Sequence, residues 1–167
     1  MKLSSKAWIG AALLYGAAVS AAPAQPPAGR ALPALALAAE DGTPAAAAAL
    51  HPGSPWVLLV VDAGRPRTQA ALARLETPQG WGDGVHVLVL GDDAAFQALQ
   101  QRYRQLTGVR WVRDADGSAL RTLRLPGLPA MLGIDAQGRI AWQNTGFAAD
   151  ANRLQAQLSS WLTGGQP

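Results

Sequence analysis

The chain has 167 residues, enough for one domain with its own hydrophobic core and hardly for two. Its formal charge of +3 is misleading: of the 14 basic residues, Lys2 and Lys6 sit at the extreme N-terminus, which leaves 12 arginines against 11 carboxylates. The absence of any basic stripe or Lys/Arg-rich run argues against nucleic-acid binding, and the absence of cysteine excludes disulfides, Cys-ligated zinc and thiol chemistry.

Met1 to Ala21 reads as a secretory signal. Lys2 and Lys6 supply a positive start, Ala7 to Ser20 an apolar stretch, and Val19-Ser20-Ala21 a small-residue cleavage site, with Ala22-Pro23-Ala24 as a second one. The apolar run falls short of the roughly 20 residues a membrane span needs. The expected location is therefore the bacterial periplasm, with no stable membrane span after cleavage; an uncleaved N-terminal anchor is the alternative. Residues 22–31, rich in proline, read as a flexible tether. The folded domain is expected over 32–163 and a disordered tail over 164–167.

Leu32-Pro33-Ala34-Leu35-Ala36-Leu37 carries a weak strand signal, and Glu40-Asp41-Gly42-Thr43 the tip of a hairpin or loop. Ala45 to Leu50 suggests a short helix, stopped by His51-Pro52-Gly53-Ser54-Pro55. Trp56 to Asp62 is a buried-strand run, punctuated by Gly64 and Pro66, with an amphipathic helix to about Glu76 behind it. Val85 to Leu90 is a second strand. Asp92 or Asp93 can cap a helix over Ala94 to Leu106, on which Phe96, Leu99, Tyr103 and Leu106 share a face. Val109 to Val112 is extended, Asp114-Ala115-Asp116-Gly117 a turn, and Ser118 to Leu123 a short helix. Ala130 to Ile134 and Arg139 to Gln143 form a hairpin about Asp135-Ala136-Gln137-Gly138. A last helix, from about Ala149 to Leu162, carries Leu154, Leu158, Trp161 and Leu162 on one side. Such alternation predicts a three-layer α/β domain whose first two long strands run parallel.

The order of parts resembles the thioredoxin-like superfamily, in its exported TlpA/ResA-type branch, related to peroxiredoxins. Four stretches carry the resemblance. Leu32 to Leu37 with Asp41-Gly42 and Leu50 is similar to that branch's opening P-x-F-x-L…D-G…L hairpin. Trp56 to Arg67 is similar to the strand leading into its C-x-P-C turn. Gly127-Leu128-Pro129 followed by Ala130 to Ile140 is similar to G-x-P-T-x-x-x-I-D-x-x-G-x-I, and Gly146 precedes a C-terminal amphipathic helix as in the same group. The resemblance implies a central mixed sheet flanked by helices, with a cis-proline loop at Leu128-Pro129 lying beside the turn at Gly64.

The departure is chemical. Aligning Pro66 with the family's proline puts Gly64 and Arg67 where the two cysteines stand, so disulfide exchange and peroxide reduction have no thiolate to use. Only the fold carries over. A helix N-terminus, with its free N–H groups and dipole, remains beside Arg65 and Arg67, and Asp62 is close enough in sequence to answer it. Two readings stay open: an anion or peptide site built from Asp62, Gly64, Arg65, Pro66, Arg67, Leu128 and Pro129, or two solvated arginines next to Asp62. Trp81, between glycines, is either an anchor for a partner or a lid folded over the sheet edge.

Other motifs are absent or weak. His86 lies mid-strand and reads as a buried or sheet-face residue; with the distant His51 it makes no metal site, and no metal or cofactor is implied. The Asp114-x-Asp116-Gly117 turn has its glycine too early for a calcium loop. No serine-nucleophile elbow, P-loop or G-x-G-x-x-G stretch occurs. The expected function is a non-redox binding or accessory protein of the cell envelope, its partner another envelope protein or peptide segment, in a setting such as a secretion or conjugation apparatus. The alternatives are an oxidoreductase-type enzyme that borrows a partner's thiols and a decayed structural paralogue.

Overall fold

The computed structural model describes residues 29–146 and 150–165. The signal at 1–21, the tether over 22–28 and the last two residues of the tail lie outside them. Eight strands form a single sheet in the order β1-β8-β7-β4-β5-β6-β2-β3. They are β1 Arg30–Ala31, β2 Ala36–Ala39, β3 Pro44–Ala46, β4 Trp56–Asp62, β5 Val85–Leu90, β6 Val109–Asp114, β7 Ala130–Ile134 and β8 Arg139–Thr145. The helices are α1 Pro66–Ala73, α2 Asp93–Arg102, α3 Ala119–Thr122 and α4 Ala151–Leu162.

β4 is apolar throughout because both of its faces are covered. Val57, Leu59 and Val61 point into one layer with Leu72, Phe96, Leu99, Leu154, Leu158 and Trp161 from α1, α2 and α4. Trp56, Leu58 and Val60 point into the other, with Leu37, Ala47, Ala119, Leu123 and Leu128. β4, β5 and β6 run parallel and advance the same way across the sheet. Their two crossover helices, α1 and α2, accordingly lie on one face, as a common right hand requires. The three-layer mixed-sheet architecture expected from the sequence is the one found, and the Leu128-Pro129 bond is cis.

Several boundaries differ, each for a tertiary reason. The alanines of 45–50 have high helix propensity, but Pro44–Ala46 pair antiparallel with β2, and only Ala47–Ala49 coil, as a 3-10 turn. β2 itself begins at Ala36, four residues later than the expected run. Arg30–Ala31, assigned to the tether, pair with Ile140 and Arg139 as an edge strand. Gly164 and Gly165 belong to no loose tail: Gly164 N–H donates to Trp161 O (3.0 Å) and Gly165 N–H to Ser160 O (2.8 Å). With Gly164 at φ +85° this is a Schellman closure of α4. α2 ends at Arg102 rather than Leu106, yet Phe96, Leu99, Tyr103 and Leu106 are all buried as the periodicity indicated. Asp92 caps it, accepting from Ala95 N–H at 2.8 Å.

Trp81 corrects the idea of a partner anchor. It is 6% exposed and packs in the layer beneath α1, α2 and α4. Its indole N–H donates to Leu75 O at 2.7 Å, and its backbone N–H to Thr107 O at 3.1 Å. An amphipathic ring surrounded by glycines has folded inward, because the interior supplies both apolar contact and an acceptor.

Two further residues report on the core. A Cβ at Gly133 would collide with the Trp142 indole, which lies across it from the paired strand β8. Gly133→Ala is therefore expected to destabilise by about 1–3 kcal/mol through overpacking; an unchanged denaturation midpoint would contradict this packing. His86 is fully buried, edge-on to Trp56 (4.9 Å) and His51 (5.8 Å). Neither ring nitrogen makes a hydrogen bond of normal geometry among the described residues. Burial, and secondarily the fields of His51 and Arg110, push its pKa down to about 4, against a smaller opposing effect of Asp83. The folded state thus favours neutral His86, so stability should fall as pH drops from about 6.5 towards 4, by roughly 3 kcal/mol in all. In His86→Leu, comparable urea titrations at pH 4.5 and 7 should show about 2 kcal/mol less acid loss, with stability at pH 7 undiminished.

Candidate functional site

The corner after β4 is built by one carboxylate. Asp62 Oδ1 accepts from Gly64 N–H (3.0 Å) and Oδ2 from Arg65 Nε (3.0 Å). The Asp62 carbonyl accepts from Arg65 N–H (3.1 Å) and from the hydroxyl of buried Thr68 (2.6 Å). The chain is thus bent at Gly64 and held against the strand end, so that α1 starts in a fixed direction. Pro66 is its first residue, where the missing N–H costs nothing. Thr68 N–H is taken by Arg65 O (3.0 Å), which leaves Arg67 N–H as the unbonded donor of the first turn among the described residues. That turn contains no acidic residue and no side-chain cap.

Opposite lies the proline loop. Ala130 pairs with Val60 of β4 and with Thr145 of β8, and Gly146 N–H donates to Pro129 O at 2.7 Å. The Leu128 side chain is buried in the layer around α3, while its backbone N–H and C=O have no hydrogen-bond partner among the described residues. Between α1 and this loop runs an open groove of about 510 Å³, lined by Arg65, Arg67, Ala70, Arg74, Gly127, Leu128, Pro129, Thr145 and Gly146.

Of the residues singled out in the sequence, Arg65, Arg67, Leu128 and Pro129 meet at this groove. Asp62, Gly64 and Pro66 shape its corner without lining it. Asp62 is engaged with Gly64 and Arg65 and does not reach Arg67. The sequence reading missed Arg74, Thr145 and Gly146. Arg74 was findable, since Arg67, Ala70 and Arg74 fall at i, i+3 and i+7 on one helix face. Thr145 and Gly146 come from the far end of β8, and only the sheet order brings them in.

Two other depressions, of about 600 and 390 Å³, are lined by polar groups already engaged within the chain or sealed from the opening. In one, between α2 and β6, Glu40 accepts from Gln100 Nε2 (2.7 Å) and Trp111 N–H (3.2 Å). The other has His86 in its wall, but both ring nitrogens are sealed from the opening. The Asp114 and Asp116 carboxylates accept from Ala119 N–H and Ser118 N–H in their own turn. Among the described residues no three His, Asp or Glu side chains group as metal ligands, and no helix is long and apolar enough to cross a membrane.

No protein-family model and no curated protein matches the chain in sequence. Solved structures do match in fold. A Chlorobium tepidum protein described as a DsbE-type thiol:disulfide interchange protein superposes with TM-score 0.63 at 21% identity, over 81% of this chain and 98% of that one. A secreted Mycobacterium tuberculosis disulfide oxidoreductase gives 0.59 at 22%, over 75% and 95%. The exposed lipoprotein thioredoxin of Streptococcus pneumoniae gives 0.58 at 18%, over 77% and 99%. Identities this low carry the fold alone. The chain shares the thioredoxin-like fold of these structures, with Gly64 and Arg67, and no cysteine, at the turn between β4 and α1.

Proposed function

We propose that this chain is a non-redox binding module, which holds an extended segment of a partner polypeptide in the groove between α1 and the Leu128-Pro129 loop. Disulfide exchange needs a thiolate, and Gly64 and Arg67 offer none. What remains is a positioned main chain. The observation that carries the reading is the unpaired N–H and C=O of Leu128 on the wall of the groove. With its side chain drawn into the core, Leu128 presents backbone, and an extended peptide satisfies one donor and one acceptor at alternate residues by β-augmentation. Each such bond contributes about 0.5–1.5 kcal/mol net, so side-chain contacts along α1 must supply the rest of the affinity.

The setting proposed is the bacterial envelope. Supporting it are the signal-like pattern of Met1 to Ala21 and the secreted and exposed character of two of the fold neighbours.

A random dodecapeptide library panned on the purified protein tests the reading. Enriched peptides should shift the amide resonances of Gly127, Leu128, Ala130, Thr145 and Gly146. Ala70→Trp, an exposed position that fills the groove without touching the core, should abolish their binding at unchanged Tm. Absence of enrichment, or shifts confined to another face, would contradict it.

A further inference from the structure

We infer that the occupant of this groove is acidic: an extended partner segment whose carboxylates are spaced to meet Arg67 and Arg74. The inference rests on the groove reading above and adds the chemistry of what fills it. Three arginines line the groove and no carboxylate does. Arg65 is already answered by Asp62 at 3.0 Å. The side chains of Arg67 and Arg74 have neither a carboxylate nor a hydrogen-bond partner among the described residues. Elsewhere Arg110 pairs with Asp83 and Arg113 with Asp93, so the chain has carboxylates to spend on arginines but places none here.

The position makes the Arg67 charge unfavourable in the empty state, whereas Arg74, at the C-terminal end of α1, is simply unpaired. Arg67 is the second residue of α1, where the helix dipole is positive and its own N–H is unbonded. Nothing acidic in the first turn offsets it. A carboxylate arriving there would meet the guanidinium and the free N–H together, a charge-assisted arrangement that neither provides alone. Arg74 repeats the charge two turns further along the same face.

Spacing narrows the class. Seven helical residues advance about 10.5 Å. Side chains on one face of an extended chain recur about every 6.6 Å, or about 13 Å for every second one. Two flexible arginines bridge either interval, so the matching segment carries Asp or Glu at i and i+2 or at i and i+4, all facing α1, while its backbone pairs with Leu128. An odd spacing would send one carboxylate to the opposite side of the peptide.

The same panned library separates this inference from the one it rests on. Enriched peptides should contain Asp and Glu well above the input composition, at even spacing. Their binding should weaken about tenfold in Arg67→Glu/Arg74→Glu and on raising salt from 0.05 to 0.5 M. Arg67→Gln/Arg74→Gln, with Tm as the folding control, serves if the charge reversal does not fold. Peptides that bind through residues 127–130 with no acidic bias, or that ignore salt and both variants, would overturn the acidic occupant and leave the groove reading standing. Failure to enrich any peptide would bring down both.

Discussion

The pairing of β4 with its two neighbours decides where everything else can lie. β5 runs parallel along one edge and β7 antiparallel along the other. In an antiparallel pair the end of one strand faces the start of the next, so Val60 near the end of β4 sits opposite Ala130 at the start of β7. Two residues beyond Val60 comes Asp62, which bends the chain into α1; two residues before Ala130 comes Leu128. A helix N-terminus and a proline loop more than sixty residues apart are thereby set face to face. The burial of β4 on both sides makes that register hard to change, because a one-residue slip would exchange the contents of its two hydrophobic layers.

On that frame the electrostatics are uneven. Asp62 spends its two oxygens on Gly64 and Arg65 and so stabilises the bend rather than the groove. An exposed ion pair of this kind contributes little to stability, but its geometry directs the first turn of α1. The cations further along the helix are left over. At the positive end of α1 the Asp62 carboxylate is held by Gly64 and Arg65, and the N–H of Arg67 has no partner among the described residues. With no thiol at the turn, the corner offers shape, charge and unpaired backbone, and the proposed binding role draws on these three.

Much of this was legible in the sequence where the signal is local. The aliphatic runs at Trp56–Val61 and Val85–Leu90, the Gly127-Leu128-Pro129 loop and the Asp135-x-x-Gly138 turn each specify their own structure. In that turn Asp135 Oδ1 accepts from Gln137 and Arg139 N–H. What was not legible depends on distant partners. Trp81, between glycines, fitted a partner anchor as well as a ring folded over the sheet edge, and what draws it inward is Leu75 O as acceptor and a backbone pinned to Thr107. Alanine at 45 and 46 favours a helix until β2 offers a strand to pair with. The groove's far wall, Thr145 and Gly146, has no sequence feature tying it to Arg67; the strand order alone does so.

The central claim is that the corner has kept its geometry for holding a polypeptide and not for reacting with one. The most direct test is a crystal structure of the protein with its tightest selected peptide. The account predicts an extended peptide between α1 and the proline loop, its backbone bonded to Leu128 N–H and C=O and its carboxylates on Arg67 and Arg74. A peptide seated on another face, or one in the groove that leaves Leu128 unpaired, would contradict it.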